Sequence, residues 1–289
     1  MVTRLRRAGV AWIVLSAAGF GAMAIFAKLA YRDGVSLSTM LFLRFAIAGT
    51  LLTVWGMATR MHWPRGRDLV LLIAMGAVGY VGQSFSYFSA LQHASAGLVA
   101  MLLYLYPAIV TLLSAVLYRR AVGVGRAAAV AAALAGTALA VGGDLYSEPV
   151  GIVLGVAAAL IYSVYILVGE GVMSRVGSLP AATVVMLAAA AAYGLAAVVA
   201  GPALPQSATG WAAVLAIAIF STLLAILGFF KGLERLGAAD ASTLSAMEPM
   251  ITLGLAALVL GEAITLTQLL GGGLILAAVI YLARRPAMA

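Results

Sequence analysis

Ten apolar runs, each long enough to cross a bilayer, divide this chain from end to end. They cover residues 8–30, 36–58, 69–91, 95–117, 124–142, 150–172, 180–201, 210–230, 238–260 and 265–283. A helix needs ~20 apolar residues to span the hydrocarbon core. Inside lipid only helices and closed barrels satisfy their own backbone hydrogen bonds. Runs of this length predict an all-α membrane protein of ten transmembrane helices. Only 9% of the residues are charged, against roughly 25% in a soluble domain, and the connections leave almost no room for a soluble part. The first run, behind Arg4, Arg6 and Arg7, resembles a secretory signal; it is read as an uncleaved first span, because it pairs with a later span in the repeat below.

Charge then sets the orientation. The net charge of +8 would point to nucleic acid in a soluble chain. Here the basic residues sit in short loops on one side: Arg4, Arg6, Arg7, Arg60, Arg65, Arg67, Arg119, Arg120, Arg126, Arg175, Lys231, Arg235, Arg284 and Arg285. Lys and Arg mark the cytoplasmic side, so both termini are expected in the cytoplasm and the chain in the cell inner membrane. There is no cysteine and there are two histidines, His62 and His93, which excludes thiolate chemistry and a His-rich metal cage. Gly19–Ala24 loosely matches a dinucleotide fingerprint, but it follows no strand and lies inside a span. No catalytic residue, metal or cofactor is expected, and the chain is not read as an enzyme.

Two prolines lie inside apolar spans, Pro107 and Pro249, 142 positions apart, about half the chain. Each deletes a backbone donor and kinks its helix. The same offset aligns all five spans of residues 1–142 with those of 143–289 without a gap. Five is odd, so the second copy enters the membrane upside down. Two inverted five-helix repeats are a frequent transporter design, in which the halves exchange conformations around a central site. The asymmetries are polar: Lys28 aligns with Glu170, Arg44 with Met186, and Tyr106 with Glu248.

A carboxylate at membrane depth is costly and marks a functional site by default. Glu248 shares a face with Ser245 and Thr252. Three roles are open to it: holding a substrate ammonium, taking up and releasing a proton, or pairing structurally with Lys28 or Arg44. Lys28 lies near the end of its span and is able to snorkel. Arg44 lies deeper and is expected to be buried and paired. In the third span Tyr80, Gln83, Ser84 and Tyr87 recur at i, i+3, i+4 and i+7, one helix face. Facing lipid, Gln83 would leave an amide unpaired. The face either lines a cavity or glues helices together. Tyr104, Tyr162 and Tyr165 extend the aromatic set, and the stripe Gly79, Gly82, Ser86, Ser89 reads as close helix packing. His93, in the turn after span three, is a minority candidate for a proton relay.

The order Gly19-Phe20-Gly21 to Lys28, Leu37, Arg44, then Leu233-Glu234-Arg235-Leu236-Gly237-Ala238, Glu248-Pro249 and Leu260-Gly261-Glu262 resembles the drug/metabolite transporter superfamily, in its ten-helix branch of two EamA-type domains. The first half departs from it, with Tyr118-Arg119-Arg120 where the second has Leu260-Gly261-Glu262. The resemblance implies a basket in which spans 1–4 and 6–9 surround a cavity and spans 5 and 10 sit outside. Bacterial aromatic amino-acid exporters look most similar. The implied function is export of amino acids, aromatic or hydrophobic, or related small metabolites by alternating access. The alternative is a multidrug exporter of lipophilic cations using the membrane carboxylate. The partners expected are a small-molecule substrate and the lipid bilayer, without nucleic acid, for a chain read as a monomer.

Overall fold

Every apolar run is a helix in the structure, a computed structural model that describes residues 2–117, 119, 123–144 and 147–284. The helices able to span are α1 (Arg7–Arg32), α2 (Leu37–Ala58), α3 (Gly66–His93), α4 (Ala96–Leu117), α5 (Val124–Gly142), α6 (Pro149–Val176), α7 (Ser178–Ala200), α8 (Ala208–Leu236), α9 (Asp240–Leu260) and α10 (Leu266–Ala283). Several outrun their apolar stretch. α8 continues through Leu233-Glu234-Arg235-Leu236, where a charged turn still completes its helical bonds beyond the hydrocarbon. The outer surface carries exposed Val54, Met57, Val78, Val116, Val153 and Val198, side chains that a water-soluble surface would not display in such number.

Local chemistry differs between the two ends of the bundle. At the face opposite the termini, helices start on side-chain caps. Ser36 accepts from the Thr39 amide, Ser95 from Leu98, Ser207 from Gly210, and Thr265 forms a capping box with Gln268. Such caps satisfy orphan amides at a helix start. At the terminal face the α6–α7 and α8–α9 reversals turn on Gly177 and Gly237, at φ 83° and 80°, a region that glycine enters without Cβ strain.

Both expected kinks are present, and each lies ahead of its proline. α4 breaks at Tyr104–Leu105 and α9 at Ala246–Met247. A proline cannot give an N–H to the carbonyl four residues earlier, so Leu103 and Ser245 lose their helical partners. Three π-helical segments add a second irregularity, Met75–Tyr80 in α3, Ile219–Leu224 in α8 and Ala256–Leu260 in α9. Such bulges concentrate at functional sites.

Helix partners are regular: α1 packs on α8, α3 on α6, α2 on α7, α4 on α9, and α5 on α10. Relabelling each helix by its counterpart in the other half returns the same set of pairs. The last pair touches backbone to backbone: a Cβ on Gly136 would meet the Gly271 carbonyl at 2.6 Å. The small-residue stripe of α3 does pack closely in part, since Gly79 and Gly82 lie against Tyr165 and Ile161 of α6.

The face opposite the termini is tied by polar contacts between helices distant in sequence. Asp33 accepts from the amides of Gln206 and Ser207 at the start of α8, at 2.8 and 3.1 Å. Ser207, through its hydroxyl and its amide, and then Gln206 hold the Asp33 carboxyl below its ordinary value. The Ser36 amide donates to the Ala203 carbonyl, and the Tyr31 hydroxyl to the Phe88 carbonyl at 2.9 Å. On the terminal face Arg175 of α6 forms an exposed ion pair with Asp68 of α3 at 2.6 Å.

Candidate functional site

A cavity of about 330 Å³ lies at the centre of the bundle. Eight helices line it, α1–α4 and α6–α9, and no residue of α5 or α10 reaches it. It runs from Phe88, Leu103 and Glu248 to Met173 and Ser178, beside the α6–α7 reversal on the terminal face.

Both helix breaks deliver polar groups to this space. Tyr104, at the break of α4, sends its hydroxyl across to the break of α9. It donates to the Ser245 carbonyl at 2.8 Å and to Glu248 Oε2 at 2.9 Å. The carbonyl that Pro249 leaves without an amide is thus satisfied by a tyrosine from the opposite half. The Leu103 residue, whose carbonyl Pro107 frees, lines the same cavity, and the buried Ser245 Oγ there has no hydrogen-bond partner. Replacing Tyr104 with Phe is expected to cost about 1–2 kcal/mol, because a buried acceptor is left unpaired. The check is the heat-unfolding midpoint in detergent, which should fall; an unchanged midpoint would mean that water replaces the hydroxyl.

The tyrosines form one continuous series of ring contacts. Tyr104 meets Tyr106 at 5.9 Å, Tyr106 meets Tyr162 at 5.0 Å, Tyr162 stacks on Tyr165 at 6.2 Å, and Tyr165 meets Tyr80 at 5.6 Å. Each separation lies in the range of favourable aromatic pairing. Arg44, 3% exposed, lines the same cavity. Its Nε donates to the Thr222 hydroxyl at 3.0 Å, in the π segment of α8, and its guanidinium lies over Phe45 and Phe88 at 4.8 and 5.2 Å. Among the described residues Arg44 makes no ion pair. Tyr87 lies within electrostatic reach of both Arg44 and Glu248. One apolar, aromatic chamber therefore presents one guanidinium and one carboxyl group.

Of the residues singled out from sequence, Tyr80, Gln83, Tyr87, Tyr104, Tyr162, Tyr165, Ser245, Glu248 and Arg44 line the cavity. Others do not. Ser84 bonds the Tyr193 hydroxyl at 2.9 Å and faces α7. Gln83 lines the cavity, whereas the Ser84 hydroxyl, about 100° around the helix, is taken up by the Tyr80 carbonyl and the Tyr193 hydroxyl. Lys28 lies outside the cavity and does not pair with Glu248; it bridges at 3.2 Å to Glu262, just beyond the end of α9. Arg44 is buried as expected, but its partner is a hydroxyl rather than a carboxylate. The structural pair of Glu248 with Lys28 or Arg44 is therefore overturned. His93 ends α3 and contacts Glu148 at 2.8 Å on the far surface, away from the cavity. Pro107 and Pro249 shape the breaks without lining the space. Among the described residues no group of three metal-ligating side chains forms.

Tyr106, Phe20, Met23, Phe229 and Phe230 also line the cavity and were missed as site residues. The repeat offset was the signal that would have found them. Seven pairs of lining positions stand 142 apart: 20 and 162, 23 and 165, 44 and 186, 87 and 229, 88 and 230, 103 and 245, 106 and 248.

Comparison with known proteins places this geometry. Residues 7–142 and 149–284 each match the EamA-like transporter family. The chain is 28% identical over 281 residues to the uncharacterized transporter YcbK of Bacillus subtilis, covering 92% of this chain and 89% of that protein. It is 24% identical over 286 residues to an uncharacterized transporter of Archaeoglobus fulgidus, covering 95% and 99%. A protein crystal structure superposes with a TM-score of 0.68 at 23% identity over 96% of this chain and 97% of that one; it shares the fold.

Proposed function

The chain belongs to the EamA-like transporter family, and on that premise we propose that it exports amino acids, aromatic or hydrophobic, or related small metabolites from the cytoplasm by alternating access. Members of this family are transporters and not, in general, enzymes. The observation that carries the substrate reading is that Arg44 and Glu248, not paired with each other, both line one tyrosine-lined chamber. A zwitterion with an apolar side chain fits it. Arg44 receives the carboxylate, Glu248 the ammonium, and Tyr80, Tyr162 and Tyr165 stack on the side chain. Gln83 supplies an amide to the same chamber. Removing opposite charges from water together, with hydrogen bonds for each, offsets much of their desolvation.

The two halves, 1–142 and 143–289, act in this reading as inverted repeats. The seven lining pairs at one offset and the self-consistent helix pairing support that division. The basic loops support an inner-membrane location with both termini cytoplasmic. The cavity then opens to the cytoplasm, the state that accepts a substrate for export.

A second reading is supported by the cation–π cover of Arg44 by Phe45 and Phe88, which partly satisfies its charge. Glu248 is then the dominant charge, and the substrate is a lipophilic cation. Proteoliposome uptake separates the two. Labelled tryptophan, phenylalanine, threonine and a lipophilic cation are offered in parallel, with and without a pH gradient. Tryptophan and phenylalanine flux with mutual competition is expected, and gradient dependence would make protons the driving ion. Flux of the cation alone would transfer the assignment to drug efflux.

A further inference from the structure

Eight residues line the cavity without a lining counterpart in the other half, and four of them lie together toward the terminal face, where they point to a surface that the present conformation hides. Met173, Ser178, Ala182 and Val185 line the cavity toward the terminal face. Their counterparts 142 positions earlier are Tyr31, Ser36, Met40 and Leu43, and none of these lines it. They are packed away at the opposite face. Met40 is 0% exposed, the Tyr31 hydroxyl holds the Phe88 carbonyl, and the Ser36 amide holds Ala203.

We propose that Tyr31, Ser36, Met40 and Leu43 form a second substrate-facing vestibule, which opens to the opposite face when the contact of Lys28 with Glu262 breaks. The proposal rests on the inverted-repeat transport reading and adds to it the exit surface and the latch that closes it.

Glu262 is the centre of that latch. Besides Lys28 of α1, its carboxylate accepts from the amides of Ala96 at 3.0 Å and Gly97 at 3.4 Å, the first turn of α4. One carboxylate from the second half thus holds two helices of the first. Its geometry combines an ion pair with a helix start, both favourable to an anion. In all three helices the order is the same from the cavity outward. α1 runs Met23, then buried Ala27, then Lys28. α4 runs from Leu103 through buried Val99 to Ala96, and α9 runs from Glu248 through buried Ala256 to Glu262 beyond its end. A dry plug therefore separates the latch from the cavity. Lys28 and Glu262 touch no substrate; they are positioning residues for the conformational step.

The test uses the natural absence of cysteine. Met40→Cys and Ala182→Cys are made as single-cysteine proteins in membrane vesicles. Each is labelled with an impermeant maleimide, and a Glu148→Cys protein reports which side carries the far face. With the latch intact, Ala182→Cys should label from the terminal side and Met40→Cys barely at all. Adding Lys28→Met or Glu262→Gln should speed labelling of Met40→Cys from the far side by about tenfold, the loss of one charge-assisted contact. The same change should slow labelling of Ala182→Cys from the terminal side. Unchanged labelling of Met40→Cys overturns the proposal. Faster labelling of both cysteines also overturns it, since that reports loosened packing rather than exchange. Neither readout needs a substrate, so a failed amino-acid uptake assay would sink the substrate reading and leave this one standing.

Discussion

Replacing Arg44 with Met is expected to reduce amino-acid transport by roughly a hundredfold, the cost of one buried charge-assisted contact at its upper end, while flux of any lipophilic cation persists. The substitution is chosen because position 186, aligned with 44 in the second half, is already Met and also lines the cavity. It therefore symmetrises the chamber rather than opening a void. Thr222 keeps its own bond to the Ile217 carbonyl at 2.8 Å, so the π segment of α8 retains a partner after the guanidinium is gone. Tryptophan uptake in proteoliposomes, beside the unfolding midpoint of the same preparation, is the measurement. Normal uptake by the variant would mean that Arg44 does not receive the carboxylate. Glu248→Gln is the complement: it should remove flux of both substrate classes, since both place a cation against that carboxylate. Amino-acid export that survives Glu248→Gln but fails in Gln83→Ala would show that Glu248 is not the coupling group.

The second large effect is on stability. Gly271→Leu should destabilise the protein by about 3 kcal/mol, at the upper end of ordinary overpacking costs. A Cβ at 271 would meet the Gly136 carbonyl at 2.4 Å and the Ala140 amide at 2.7 Å. Those are backbone atoms of α5, so no side-chain rotation relieves the clash and the two helices must separate. Because neither helix reaches the cavity, the fraction that stays folded should keep its substrate preference. Unfolding midpoints in detergent, together with the ratio of tryptophan to threonine uptake, test both halves of the statement. A changed ratio would mean that the α5–α10 pair communicates with the site.

Much of the site was legible before any coordinates. Glu248, Tyr104 and Arg44 announced themselves because polar or charged groups within apolar runs are costly unless they face protein or a cavity. The aligned prolines announced the breaks. What was not legible was direction. Ser84 and Gln83 are neighbours in sequence and equally plausible at a cavity wall. Only the packing of α3 against α7 decides that Ser84 turns to Tyr193. For Lys28 the sequence offered Glu248 as a partner, and the meeting of α1, α4 and the end of α9 selects Glu262 instead.

The sequence by itself determined the ten helices and which two of them break, because each of these is set by bonds a segment makes with itself in lipid. The tertiary structure decided which polar groups meet, which face of α3 looks inward and toward which face of the bundle the cavity extends. Those depend on contacts between residues more than a hundred positions apart, whose free energies exist only once the helices have packed.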